Sequence, residues 1–307
     1  MAFATRRGLL GTEDLDRAEI ELILERAKAF QPLQGEGFRR LDTLRGRTVV
    51  NLFFEASTRT RTSFEIAAKR LGADAISITA QASSVSKGES LVDTLNTLGA
   101  MRPDAIIMRH AASGAPHFLQ RHLAIPIVNA GDGTHEHPTQ ALLDARTILD
   151  RGKKLEGLRV AIIGDIAHSR VARSNVYLLA NFQADIVLCG PASLLPEELK
   201  QLAPGVRLTT SMTEAIHDAD VIMMLRVQLE RQHEAAFPAS EYFSFYGLRL
   251  DHLKLAKPDV MVMHPGPINR GREISSEVAD SQRSAILNQV ENGIAVRMAV
   301  LERVLGG

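Results

Sequence analysis

Apolar residues fall along this chain in short runs rich in Val and Ile, separated by stretches with helical spacing. In the first half the runs cover residues 49–54, 75–78, 105–108 and 125–128. In the second half they cover 160–163, 186–189, 221–225 and 260–263, with a weaker one at 206–208. Runs that stay apolar without alternation suit strands buried on both faces, as in parallel sheets covered by helices. Strand and helix alternating through both halves predict an α/β protein of two domains, each a parallel β-sheet flanked by helices. The polar stretch Asp150-Arg151-Gly152-Lys153-Lys154 separates a helix expected at 138–149 from a strand opening at Leu158. It predicts a first domain at 1–150 and a second at 151–283. From Ser284 onward Ile286, Val290, Ile294, Met298, Leu301 and Leu305 share one helical face. A terminal helix over about 284–307 needs a surface for that stripe and is expected to pack back on the first domain.

Composition narrows the function. With 36 basic and 36 acidic side chains the formal net charge is zero, which argues against a general nucleic-acid binder. The one cysteine cannot form an internal disulfide, and no Cys/His cluster has zinc-finger spacing. Nowhere does an apolar run reach the ~18 residues a membrane span requires. The first residues turn acidic before any long apolar stretch, which predicts no signal peptide and a cytoplasmic enzyme.

In open parallel sheets ligands bind outside the carboxyl ends of the strands, so the loops after each run are where chemistry is expected. After 49–54 comes Glu55-Ala56-Ser57-Thr58-Arg59-Thr60-Arg61, three hydroxyls and two arginines where a helix should begin. Free backbone N–H groups and the positive end of the helix dipole make such a terminus an anion site. Ser57, Thr58 and Thr60 can donate to phosphate oxygens, and Arg59 can bind one in bidentate fashion. The plainer reading is an N-cap hydroxyl followed by a solvated charged helix. After 125–128 comes Gly131-Asp132-Gly133-Thr134-His135-Glu136-His137-Pro138-Thr139-Gln140. Pro138 suits a first helical turn, which puts His137 at the cap with Gln140 one turn on. The imidazole could polarise a carbonyl and the amide could read an amide-like group; a capping role is the alternative for His137. Two histidines and a glutamate in four residues also suggest a metal, but the spacing is not HExxH and no further ligand is evident in sequence, so no metal is assigned. Arg109, Arg170 and Arg226 follow three more runs, and three cations at strand ends of a neutral protein favour a substrate with several negative groups. GxGxxG is absent, which disfavours NAD, and no GxSxG, P-loop or Cys–His pair offers an activated nucleophile.

Taken in order, Ser57-Thr58-Arg59-Thr60-Arg61, His137-Pro138-Thr139-Gln140, Arg226-Val227-Gln228 and His264-Pro265-Gly266-Pro267 resemble the motifs of the aspartate/ornithine carbamoyltransferase family. The resemblance covers essentially the whole chain. The first two motifs are common to the family. The last two discriminate, because the ornithine-specific members typically carry a Ser-Met-Gly loop and a His-Cys-Leu-Pro turn, and this chain has neither. The resemblance implies transfer of a carbamoyl group from carbamoyl phosphate to the amine of aspartate, a step of pyrimidine synthesis, with no cofactor and no covalent enzyme intermediate. It implies that phosphate lies on Ser57, Thr58, Arg59 and Thr60, the carbamoyl oxygen on Thr60, Arg109 and His137, and the carbamoyl amide on Gln140 and the carbonyls of Pro265 and Gly266. Arg170 and Arg226, assisted by Gln228, would hold the aspartate carboxylates. Lys87, with Ser83, would reach in from a neighbouring chain of a homotrimer. A regulatory chain or a dihydroorotase is a further partner the resemblance allows. Two other readings stay open on sequence: transfer to a different amino or acylamino acceptor, and a non-catalytic scaffold that kept the fold.

Overall fold

The computed structural model of the chain describes residues 8–32, 37–79, 91–226 and 239–306. The chain divides into two units, Met1–Arg146 with Glu291–Gly307, and Thr147–Val290.

The first unit holds α1 (Arg17–Phe30), β1 (Thr48–Phe53), α2 (Thr58–Arg70), β2 (Asp74–Thr79), α3 (Leu91–Ala100), β3 (Ala105–His110), α4 (Ala115–Gln120), β4 (Ile127–Asp132) and the start of α5 (Pro138–Asp150). Its four strands are parallel in the order β2-β1-β3-β4. β1, β3 and β4 are almost wholly buried, as their unbroken apolar runs require. β2 differs: it is the edge strand and leaves Ile76 half exposed, so the Ala-Ile-Ser-Ile run is not a two-face buried strand. The last strand also departs from expectation. It begins at Ile127 rather than residue 125 and continues through Asn129 to Asp132, both fully buried. These polar residues hid the strand in sequence. They are tolerated because Asn129 Nδ2 donates to the Leu10 carbonyl and to Asp132 Oδ1, each at 2.8 Å.

The second unit continues with β5 (Arg159–Ile163), α6 (Arg170–Ala180), β6 (Asp185–Cys189), β7 (Arg207–Thr209), α7 (Met212–Ile216), β8 (Val221–Met224), α8 (Ala239–Tyr246), β9 (Met261–Met263) and α9 (Ser276–Ala279). The sheet is parallel in the order β7-β6-β5-β8-β9. One face of β5, β6 and β8 packs with Met212, Ile216, Tyr242 and Val278 into a core that also encloses Cys189.

The terminal helix, α10 (Ile286–Leu305), is longer in its burial than a single stripe. Val290 is half exposed, whereas every residue from Ala295 to Glu302 is buried, polar ones included. From Glu291 onward the helix belongs to the first unit. Arg26 pairs with Glu302, Gln31 Nε2 donates to Asn292 Oδ1 at 2.7 Å, and Arg297 lies 5.0 Å from the centre of the Phe64 ring.

Candidate active site

Each sheet reverses its strand order at one place, where the segments carrying Ser57–Thr60 and Arg109 in one unit, and Arg170 and Arg226 in the other, follow the strands, whereas His137 and His264 follow the edge strands β4 and β9. In the first unit β1 connects outward to β2, while β3 lies on its other side. The crevice outside the carboxyl ends of β1 and β3 is therefore the expected ligand position. Phe53 pairs with Arg109 across β1 and β3, and the Phe54 N–H donates to the Arg109 carbonyl at 2.8 Å. The register thus brings the Ser57–Thr60 turn beside Arg109. In the second unit the reversal falls between β5 and β8. The loop after β5 ends in Arg170, and Arg226 stands two residues beyond β8. The two proposed carboxylate binders therefore flank one crevice of their own sheet.

At the first crevice Ser57 is the N-cap of α2, but its backbone is extended and its hydroxyl makes no capping bond. The capping alternative for Ser57 therefore fails, and the first turn of the helix it precedes carries no acidic residue. Thr60 is buried, while Thr58 and Arg59 are exposed. Arg109 is only 9% exposed, held by Glu55 Oε1 at 2.6 Å and the Ala130 carbonyl at 3.1 Å. Next to it, burial holds the His110 imidazole below its ordinary value.

His137 does precede α5, and its carbonyl accepts the Gln140 N–H at 2.9 Å. Its ring is almost completely buried. Gln140, one turn on, donates from Nε2 to Asp144 Oδ1 at 2.9 Å. The loop before it turns at Gly133, where φ is +43° and an added Cβ would sit 2.3 Å from Ser113 Oγ, so no side chain fits.

In the second unit Ser169 caps α6 by accepting the Ala172 N–H at 3.1 Å, and the buried Arg170 opens that helix. His264, following β9, is locked on three sides. Its N–H donates to Gln289 Oε1 at 3.0 Å, its Nδ1 accepts the Gly266 N–H at 2.8 Å, and its Nε2 lies 3.2 Å from Glu273 Oε1. Because Nδ1 accepts, Nε2 carries the proton and donates to Glu273. His264 is thus a packed residue that fixes the Pro265–Gly266 turn.

Lys87 and Gln228, with Ser83, lie outside the described residues. Sequence reading missed Glu55, Asp144 and Glu273, the carboxylates that hold Arg109, Gln140 and His264. Only Asp144 carried a sequence signal, standing four residues from Gln140 on a predicted helix.

Comparison with known proteins sets these features in a family. The model for "Aspartate/ornithine carbamoyltransferase, carbamoyl-P binding domain" matches residues 7–150, and that for the "Asp/Orn binding domain" matches 156–304. The aspartate carbamoyltransferase catalytic subunit of Solibacter usitatus is 82% identical, over 97% of this chain and 99% of its own length. That of Geotalea daltonii is 55% identical, over 100% and 98%. Among solved structures, ornithine carbamoyltransferase from Pyrococcus furiosus aligns at a TM-score of 0.89 and 33% identity, covering 100% of this chain and 99% of that one. Aspartate transcarbamoylase from Trypanosoma cruzi, in complex with N-(phosphonacetyl)-L-aspartic acid, aligns at 0.88 and 33%, covering 99% and 97%.

Proposed function

This chain belongs to the aspartate/ornithine carbamoyltransferase family, and from that membership we infer the work of each of its parts. It transfers the carbamoyl group of carbamoyl phosphate to the amino group of L-aspartate, giving N-carbamoyl-L-aspartate and phosphate. The observation that carries the acceptor is the 82% identity to a relative of that name. Fold alone could not, because an ornithine and an aspartate enzyme align equally well at 33% identity.

The division of labour we propose gives carbamoyl phosphate to the domain at 1–150 with the terminal helix, and aspartate to 151–283. Ser57, Thr58, Arg59 and Thr60 would hold the phosphate, a role supported by the uncommitted Ser57 hydroxyl at a helix N-terminus. Thr60, Arg109 and His137 would stabilise the carbamoyl oxygen as it gains charge, and Gln140 with the Pro265 and Gly266 carbonyls would orient the amide. Arg170, Arg226 and Gln228 would bind the two carboxylates of aspartate. The neutral amine then attacks the carbamoyl carbon, a tetrahedral intermediate forms, and the C–O bond to phosphate breaks. Positioning and oxyanion stabilisation supply the rate, so no enzyme nucleophile is needed.

The reading extends to a cytoplasmic homotrimer acting in pyrimidine synthesis, with Lys87 of one chain completing its neighbour's site and a regulatory chain or dihydroorotase as the further partner. No helix among the described residues is long and apolar enough to cross a membrane. Three measurements test the whole. Carbamoylation assayed with aspartate and ornithine side by side should show turnover with aspartate; turnover with ornithine alone would sink the acceptor. Arg59→Ala should cut the rate by ~10²–10³, whereas Arg226→Ala should chiefly raise the aspartate requirement; loss of carbamoyl phosphate affinity in both would reverse the domain assignment. Reassembled mixtures of Lys87→Ala and Arg59→Ala chains should regain about a quarter of wild-type sites, by closure of a ring of three; exchange without recovery refutes the shared site.

A further inference from the structure

At the carboxyl end of β4, His135 and Glu136 are joined by residues distant in sequence. Three sets of potential ligands, His117–Asp132–His135, Glu13–His135–Glu136 and Glu13–Asp14–His117, each bring their ligand atoms within 4.8 Å of one another. All lie in the first unit. They converge because α4 supplies His117, β4 and its loop supply Asp132 and His135, and the N-terminal segment runs alongside β4. The last contact is fixed by the Leu9 N–H donating to the Ile127 carbonyl and the Asn129 N–H donating to the Leu9 carbonyl.

Glu13 and Asp14 stand at the exposed side of the cluster, and the two histidines and the fully buried Asp132 distinguish it from a purely acidic surface patch. Both ring nitrogens of His117 are shut off from solvent, and neither has a hydrogen-bond partner. The ring itself is about a quarter exposed, at 26%, but two shielded nitrogens left so are costly and call for a partner. The ring packs edge-on to His135 at 5.3 Å between centroids, and its Nε2 lies 3.9 Å from Asp14 Oδ2. His135 meets Asp132 Oδ2 through Nδ1 at 3.1 Å and faces Glu13 Oε1 through Nε2 at 3.4 Å. A carboxylate behind one ring nitrogen, with the other turned toward a carboxylate-lined space, is the arrangement that orients a histidine as a metal ligand. Asp132 is itself held rigidly, accepting the Gly114 N–H at 2.6 Å and the Glu136 N–H at 3.0 Å. Glu136 is engaged by the Thr12 N–H and hydroxyl, which leaves Glu13 and Asp14 as the adaptable oxygen donors.

We propose that this cluster is a divalent metal site, in which His117 and His135 supply nitrogen, Glu13 and Asp14 supply oxygen, and Asp132 orients His135. Two imidazoles with carboxylates select a borderline cation of the Zn²⁺ or Co²⁺ kind over Mg²⁺ or Ca²⁺, which prefer oxygen alone. Bound there, the ion ties the Glu13 segment and α4 to the loop that ends in His137. Its role is structural, fastening the base of the carbamoyl phosphate loop without touching substrate.

The test uses the full-length chain stripped with a chelator and titrated with Zn²⁺ alone, followed by equilibrium dialysis and by thermal unfolding. One Zn²⁺ per chain should bind, and at a hundredfold excess over Kd the unfolding midpoint should rise by about 5 °C. His117→Ala and His135→Ala, each verified as folded by circular dichroism, should weaken binding by more than the tenfold to hundredfold typical of losing a merely orienting group. His217→Ala, an exposed histidine of the second unit, should bind as wild type does. Co²⁺ gives a second readout: the intense visible bands of a tetrahedral nitrogen–oxygen site should appear in wild type and vanish in His117→Ala. Absence of Zn²⁺ uptake, or uptake that survives both histidine substitutions, overturns the proposal and leaves the cluster as an ion-pair hub.

Discussion

Arg297 is a fully buried cation, and the cost of holding it there can be tested at Asp144. Burial pushes the Arg297 guanidinium down to about 10, the nearby Arg109 adds to that, and Asp144 is the group that opposes it. The remaining support is the Phe64 ring face at 5.0 Å and the Gly293 carbonyl, which accepts from Nη1 at 3.0 Å. Asp144→Asn removes one negative charge, while an amide oxygen can still accept the Gln140 Nε2–H. Removing one member of a buried charge pair typically costs about 3–5 kcal/mol. The aromatic face retains ~2 kcal/mol of stabilisation for a desolvated cation, so the expected loss is reduced to about 1–3 kcal/mol. At roughly 2–4 °C per kcal/mol the midpoint should fall by about 2–12 °C. Arg297→Met in the Asp144→Asn background should recover most of that loss, because the stranded cation is then gone. Urea unfolding of wild type, both single variants and the double variant yields the coupling energy directly. A coupling below about 0.5 kcal/mol, the scatter expected of independent sites, would refute the view that Asp144 sustains the buried charge.

Other consequences are quickly checked. His264→Phe should destabilise the chain by roughly 2–4 kcal/mol, because Glu273 and the Gly266 N–H both lose a buried partner; an unchanged urea midpoint would show that the turn holds itself. The buried Cys189 thiol is pushed up to about 12 by burial. A thiol reagent at pH 8 should therefore leave the folded chain unlabelled and modify one equivalent in urea, and prompt labelling of native protein contradicts this. His252 is held below its ordinary 6.5, first by burial and then by Arg249. Below pH 6.5 the unfolded chain takes up a proton that the folded chain resists, so stability should decline as pH falls from 6.5 toward the folded value. His252→Gln should flatten that slope; an equal slope in the variant assigns it elsewhere.

The local pattern of the chain was enough to determine its class of fold. Unbroken Val and Ile runs cannot sit half in water, so β1, β3, β5, β6 and β8 had to be covered on both faces. The loops after them had to lie at the carboxyl edge of each sheet, where Ser57–Thr60 and Arg109 in one unit, and Arg170 and Arg226 in the other, were found by position alone. Motif spacing carried the family, because those residues are contiguous and their chemistry is written in the residues themselves. What sequence could not supply is whatever depends on partners brought from afar. Asn129 and Asp132 read as loop residues until the N-terminal segment, more than a hundred residues earlier, offered the Leu10 carbonyl that makes their burial tolerable. The stripe on α10 forecast a one-faced helix, yet the first unit encloses it from Ala295 to Glu302 with its charges paired or laid on Phe64. Glu55 and Glu273 are ordinary acids in the sequence, and only the folded chain sets them against Arg109 and His264. His117 stands eighteen residues before His135 in the sequence, and only the packing of α4 sets the two rings edge to face. Hydrophobic periodicity acts over a few residues and can be read along the chain, whereas the satisfaction of a buried polar group is a property of three-dimensional neighbours.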